Sequence, residues 1–103
     1  MAVLIEFAMF PTDKGKSVSE YVSRIIKQIK ESGFDYQLTP MGTIVETETF
    51  QQALKVVEQS YKVLEPDCDR VYSTVKFDIK KNQDKMMKQK IKSIQDKIGD
   101  VNI

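Results

Sequence analysis

Carboxylates and hydroxyls are the polar chemistry available to this chain. It contains no histidine and a single cysteine, Cys68. The commonest general base and commonest metal ligand are therefore absent, and neither an intramolecular disulfide nor a Cys-rich metal site can form. Cys68 lies between Asp67 and Asp69 in a loop-like stretch and reads as an incidental thiol; Met86 and Met87 read as packing residues, not metal ligands. Two carboxylates stand in unusual company: Glu6 interrupts the apolar run AVLIEFAMF, and Glu46 follows Ile44-Val45. An unpaired buried carboxylate is costly, so Glu6 either meets a polar ligand or pairs with Lys76. A carboxylate aimed at a ring nitrogen supplies a charge-assisted hydrogen bond of about 1.5–3 kcal/mol, which suits binding better than catalysis. Lys76 and Asp78 read first as structural ion-pair partners.

The elements that must position these groups follow from hydrophobic period. Residues 2–10 alternate Val3, Ile5, Phe7 and Met9 against Ala2, Leu4, Glu6, Ala8 and Phe10, a strand that is apolar on both faces. Pro11 ends it, and a loop with Gly15 follows. Ser17 and Glu20 have the spacing of a capping box. Val18, Val22, Ile25, Ile26 and Ile29 make a helical stripe, closed by Gly33. Residues 34–39 and 43–47 alternate as strands around the turn signal Pro40-Met41-Gly42, so the pair reads as a hairpin. Thr49 begins a second helix with an expected apolar face of Phe50, Ala53, Leu54, Val57, Tyr61 and Leu64, stopped by Pro66. Residues 71–79 alternate again. A third helix is predicted at about 84–99, with a narrow stripe of Met87, Ile91, Ile94 and Ile98.

The order β-α-β-β-α-β plus a C-terminal helix is the ferredoxin-like α+β pattern, with two helices on one face of a four-stranded antiparallel sheet. The 103 residues fit one domain. Two helices cover one face only, so the other should present Leu4, Glu6, Ala8, Phe10, Gln37, Thr39, Thr74, Lys76 and Asp78. With Val45 inward, Ile44, Glu46 and Glu48 join them. This mixture suits a subunit interface that encloses a polar pocket, and the narrow third-helix stripe suits docking on a neighbouring element or subunit.

Composition narrows the function classes. Net charge is +1, with 41% hydrophobic and 30% charged residues, an ordinary balance that offers no general attraction to nucleic acid or membrane. Residues 76–103 hold 8 of the 16 basic but only 4 of the 15 acidic side chains. Their mixed spacing reads as a solvated helix face. No signal peptide is recognisable and no stretch reaches the roughly 20 apolar residues of a membrane span, which makes the cytoplasm the expected compartment.

The segments SVSEYV (17–22), LTPMGT (38–43) and STVKFD (73–78) together resemble the small thiamine-binding, YkoF-like protein family, in order along essentially the whole chain. After the last strand that family shows arginine and acidic residues where this chain has Ile79-Lys80-Lys81-Asn82-Gln83. The resemblance implies a ferredoxin-like domain, assembled as a dimer of dimers (a homotetramer), that binds thiamine or its hydroxymethylpyrimidine moiety without catalysis and without a cofactor. It carries ligand contact to Thr39 and Thr43 through LTPMGT. Strand alternation adds Glu6 and Glu46 as carboxylates, Thr74 as a hydroxyl and Phe10 as a stacking surface.

Rival readings fare less well. Acylphosphatases of this topology place an arginine in the loop after the first strand, and residues 11–16 contain none. Metal chaperones of this fold need a Cys-x-x-Cys pair. Nucleic-acid binding would need paired exposed aromatics beside a basic surface. An oligomeric regulatory or interaction module, with a different ligand or none, is the serious alternative.

Overall fold

A computed structural model describes residues 1–103. The elements are β1 (Ala2–Pro11), α1 (Ser19–Ser32), β2 (Asp35–Thr39), β3 (Gly42–Thr47), α2 (Phe50–Leu64), β4 (Val71–Lys80) and α3 (Met86–Ile98). The four strands form one sheet in the order β2-β3-β1-β4, every pair antiparallel. This is the ferredoxin-like α+β fold with an added C-terminal helix, as the sequence pattern implied.

Register fixes which side chain faces which layer. Ile5 stands opposite Val45 on one side and Phe77 on the other, and Tyr36 stands opposite Val45. Val3, Ile5, Phe7 and Met9 thus join Val45 beneath α1 and α2, where they pack with Ile25, Ile29, Ala53, Val56 and Leu64 into the core. The intervening residues Leu4, Glu6, Ala8 and Phe10 point to the other face, as do Ile44 and Glu46. Of the two alternations open to β3, the structure shows the one with Val45 inward.

Two local expectations are corrected. Helix α1 starts later than its capping-box signature suggests: Val18 is the N-cap and no side chain caps it. Ser17 Oγ instead lies 3.4 Å from Ser19 Oγ, and Glu20 reaches along the helix to Arg24 at 3.0 Å. Its other end is as read, with Gly33 in the left-handed conformation at φ 84° that glycine adopts without penalty. Helix α2 has the full capping box at Thr49 and Gln52, but its buried face is Ala53, Val56, Ser60 and Leu64, while Phe50, Leu54 and Tyr61 remain exposed. Ser60 is invisible to a hydrophobic pattern. Its hydroxyl donates to the Val56 carbonyl and accepts from Gln28 Nε2 of α1, so two small or polar residues let the helices approach closely.

Helix α3 docks on its own sheet, on the face opposite α1 and α2. Met86 is fully buried. The Glu46 carboxylate of β3 accepts the Met86 and Met87 amides at 3.1 and 2.8 Å, satisfying two of the orphan donors of a helix N-terminus and opposing its dipole. Lys90 pairs with Asp78 of β4 at 2.9 Å, and the chain's amino terminus meets Asp84 at 3.4 Å. The far half of the helix, with Ile94 and Ile98, is exposed.

Candidate functional site

The β2–β3 hairpin builds one wall of a cavity. Its two-residue loop, Pro40-Met41, keeps negative φ throughout, unlike the left-handed turns favoured by tight hairpins. The Thr39 side chain compensates: its hydroxyl donates to the Gly42 carbonyl at 2.7 Å and accepts from the Met41 and Gly42 amides at 3.3 and 3.1 Å. Gly42 then passes so near β1 that an added Cβ would lie 3.1 Å from the Phe7 carbonyl oxygen. The hairpin is therefore held against the middle of β1, and the following residue, Thr43, stands opposite Phe7 on the helix-facing side.

Between this hairpin and the start of α1 lies a cavity of about 270 Å³. Val18, Val22, Ile25 and Ile26 of the helix side face Phe7, Met9, Leu38 and Met41, and no charged side chain lines it. Two threonines border it, in unequal states. Thr39 spends its hydroxyl on the turn. Thr43 is 5% exposed and takes no part in the side-chain hydrogen bonds of the protein, and no buried side-chain polar atom lacks a partner, so its hydroxyl reaches the open cavity with one donor and its acceptor capacity free. The volume sits just under the roughly 300–1,000 Å³ of drug-sized ligand sites, the scale of one substituted aromatic ring.

The candidate residues divide between this cavity and the opposite sheet face. Thr43 faces the cavity from the helix-covered side of the sheet, and Thr39 and Phe10, which alternate to the other face, border it at the hairpin turn and β1. Thr43 was expected on the open face and instead shares the inward alternation of Val45 and Thr47. The Phe10 ring packs on Tyr72, its cross-strand neighbour, at 5.9 Å between centroids. Glu6 is salt-bridged to Lys76 at 2.6 Å on the open face, the pairing alternative raised for it. Thr74 is exposed opposite Ala8. Glu46 is committed to α3 and lies beside a separate, wide recess of about 820 Å³ that also borders Asp35, Glu48 and Asp84. The open face therefore does not gather Glu6 and Glu46 into one pocket. Sequence reasoning assigned Val18 and Val22 to the core; they are cavity walls, and their half-buried positions at the loose N-terminal end of α1 are the signal.

Charge elsewhere is structural. Arg24 bridges Glu20 and Asp67 at 3.0 and 2.6 Å and lies over the Tyr21 ring; the Asp67 and Glu20 carboxylates raise its pKa. The Asp69 amide donates to Asp13 at 2.8 Å and holds that carboxyl below its usual value. Cys68 is buried, and burial pushes its thiol pKa up, the opposite of an activated nucleophile. No helix is long and apolar enough to cross a membrane.

Comparison with known proteins places this geometry in context. Residues 5–95 match the family model described as thiamine-binding protein. A UPF0045 protein of Methanocaldococcus jannaschii is 32% identical over 92 residues, covering 89% of this chain and 91% of the relative. Another, from Methanothermobacter thermautotrophicus, is 31% identical over 83 residues, 80% of this chain and 84% of its own. The crystal structure of a hypothetical protein from M. jannaschii superimposes with a TM-score of 0.79 at 33% identity, over 90% of this chain and 95% of that one. A Thermotoga maritima protein provisionally assigned to thiamine biosynthesis or salvage shares the fold, with a TM-score of 0.77 at 22% identity over 90% of this chain and 99% of that one.

Proposed function

The chain belongs to the thiamine-binding protein family, and from that premise we propose that it binds a thiamine-like pyrimidine, without catalysis, in the cavity between α1 and the β2–β3 hairpin. The observation that carries the reading is Thr43: a largely buried residue whose hydroxyl has no protein partner and opens onto an apolar cavity of about 270 Å³. A hydroxyl free of protein partners at the wall of a ring-sized space can donate to or accept from a ligand there.

The chemistry of the aminopyrimidine matches that space. Its plane packs between aliphatic walls such as Val22, Ile26 and Met41. Its ring nitrogens and amino group present acceptors and donors, and a hydroxyl serves either. The thiazolium is a cation, and with no carboxylate in the cavity lining it belongs at the mouth, in water. Hydroxymethylpyrimidine, which lacks that cation, fits the enclosure entire. Thr39 acts indirectly, by fixing the turn that presents Thr43. The biological role that follows is a carrier, buffer or sensor in the cytoplasm, acting as a dimer of dimers.

Isothermal titration calorimetry with thiamine and with hydroxymethylpyrimidine tests this. Wild type should bind, and Thr43→Val, which keeps the shape and removes the hydroxyl, should weaken binding about 2- to 12-fold, the equivalent of a hydrogen bond of roughly 0.5–1.5 kcal/mol. Glu46→Gln should leave the affinity unchanged, because Glu46 serves α3. Absence of heat with either compound, from folded protein, would reject the ligand and favour an oligomeric regulatory module.

A further inference from the structure

The chain carries its sulfur in five methionines and one cysteine, and the fold shields these atoms unequally. Met86 is fully buried at the start of α3, Met9 is 7% exposed, and Met87 is half-buried. Cys68 is buried, and its thiol is held in the protonated, unreactive form. Met1 is 45% exposed and borders the wide recess, away from the apolar cavity. Met41 is 88% exposed, the most open of the large hydrophobic side chains.

Its place in the fold gives that exposure a consequence. Met41 is the second residue of the hairpin loop and lines the cavity together with Val22, Ile26 and Leu38. Its backbone is clamped: the Met41 amide donates to the Thr39 hydroxyl at 3.3 Å, and the Gly42 amide donates to the same oxygen at 3.1 Å. Movement at the mouth is therefore left to the side chain. Methionine has three rotatable side-chain bonds and a polarisable thioether that adapts to irregular apolar surfaces. From the rim, it can fold over a ring seated between the aliphatic walls.

We propose that Met41 is an oxidation site that controls the cavity: its thioether roofs a bound ring, and its sulfoxide does not. The oxidant is a hydroperoxide, with hydrogen peroxide the simplest. A sulfur lone pair attacks one peroxide oxygen, the S–O bond forms as the O–O bond breaks, and sulfur loses two electrons. The proton on the transferred oxygen passes to the departing hydroxide, which leaves as water. Methionine sulfoxide reductases reverse the change with electrons from thiols. The sulfoxide oxygen is a polar acceptor. Folded in against Val22 and Ile26, it would remain unpaired, which is costly, or take the Thr43 hydroxyl from the ligand. Either course weakens binding, so the oxidised side chain stays in water and the mouth loses its cover.

This inference rests on the proposed ligand site and adds a modification to it. Mild hydrogen peroxide treatment of the folded protein tests it, followed by peptide mapping by mass spectrometry and calorimetry with hydroxymethylpyrimidine. Met41 should gain oxygen at least about tenfold faster than Met9, Met86 or Met87, with the far-UV circular dichroism unchanged. The modified protein should bind at least about fivefold more weakly, roughly 1 kcal/mol, and methionine sulfoxide reductases should restore the affinity. Met41→Leu, whatever its own affinity, should hold that affinity through the same treatment, which separates Met41 from Met1 and Met9 as the cause. An affinity unchanged by complete oxidation of Met41 overturns the inference and leaves the ligand reading standing. So does a Met41→Leu protein that loses affinity on treatment as wild type does, or oxidation of Met9 or Met86 ahead of Met41. Untreated protein that gives no heat overturns the ligand reading and this inference together.

Discussion

Thr39 and Thr43 show how little residue type determines role. Both border the same cavity, yet one hydroxyl is consumed by three backbone contacts and the other has none. The difference is local geometry: Thr39 precedes a turn that lacks left-handed residues and needs a side-chain clasp, whereas Thr43 lies within a strand whose backbone is already paired. Asp13 is another residue whose role is set by the backbone it meets, across the chain at Asp69. Its carboxyl is depressed from 3.8, chiefly by that amide. A group depressed in the fold stabilises it above the unfolded value and ceases to do so as pH falls through the folded one. Chemical denaturation of wild type and Asp13→Ala should therefore differ by a constant amount above about pH 5. The two curves should converge as pH falls through 3.8 and below it. A difference independent of pH would assign the effect of Asp13 to packing.

At the scale of elements, the hairpin's seating on β1 depends on Gly42 having no side chain. A Cβ there would lie 3.1 Å from a backbone carbonyl oxygen, which cannot swing away as a flexible side chain can. Gly42→Ala should destabilise the fold by about 1–3 kcal/mol, the usual range for overpacking, read as a lower urea midpoint at unchanged slope. It should also weaken ligand binding, because the shifted hairpin carries Thr43. The same element shows what the sequence made legible. Strand alternation left two placements for Val45, Ile44 and Glu46, because a period of two admits only two answers, and the structure takes the one with Val45 inward. The β-α-β-β-α-β order was equally plain. Helix faces were harder: α2 buries Ala53 and Leu64 as expected but also Val56 and Ser60, and exposes Leu54 and Tyr61, since a serine bonded within its own helix carries no hydropathy signal. The site was least legible. Glu46 pairs with backbone amides some forty positions away, and no local pattern encodes such a contact.

At the scale of the molecule, the cavity and the exposed apolar surface of α2 lie toward opposite edges of the sheet. The cavity belongs to α1 and the β2–β3 hairpin, at the β2 side; the surface belongs to α2, with Phe50 and Leu54, and to β4, where Phe77 meets Phe50. The cavity is lined in part by Phe7, Ala8, Met9 and Phe10 of β1, the strand paired with β4, but Phe77 stands opposite Ile5, where the core is close-packed around Ile5, Val45 and Ile29, all fully buried. Coupling between sites requires an element with two arrangements that both sites bias. Nothing of that kind connects these two: β1 is held on both sides by continuous strand pairing. Whatever covers that surface should therefore leave ligand binding unchanged. Calorimetry on Leu54→Lys should give an affinity for hydroxymethylpyrimidine within about twofold of wild type, a difference under roughly 0.4 kcal/mol. Saturating ligand should leave any self-association through this surface unchanged to the same degree, as reciprocity of linkage demands. A larger shift in both measurements would mean that α1 and α2, joined by the Gln28–Ser60 hydrogen bond at 2.9 Å, move as one body when the cavity fills. Gln28→Ala would then be the substitution that uncouples them.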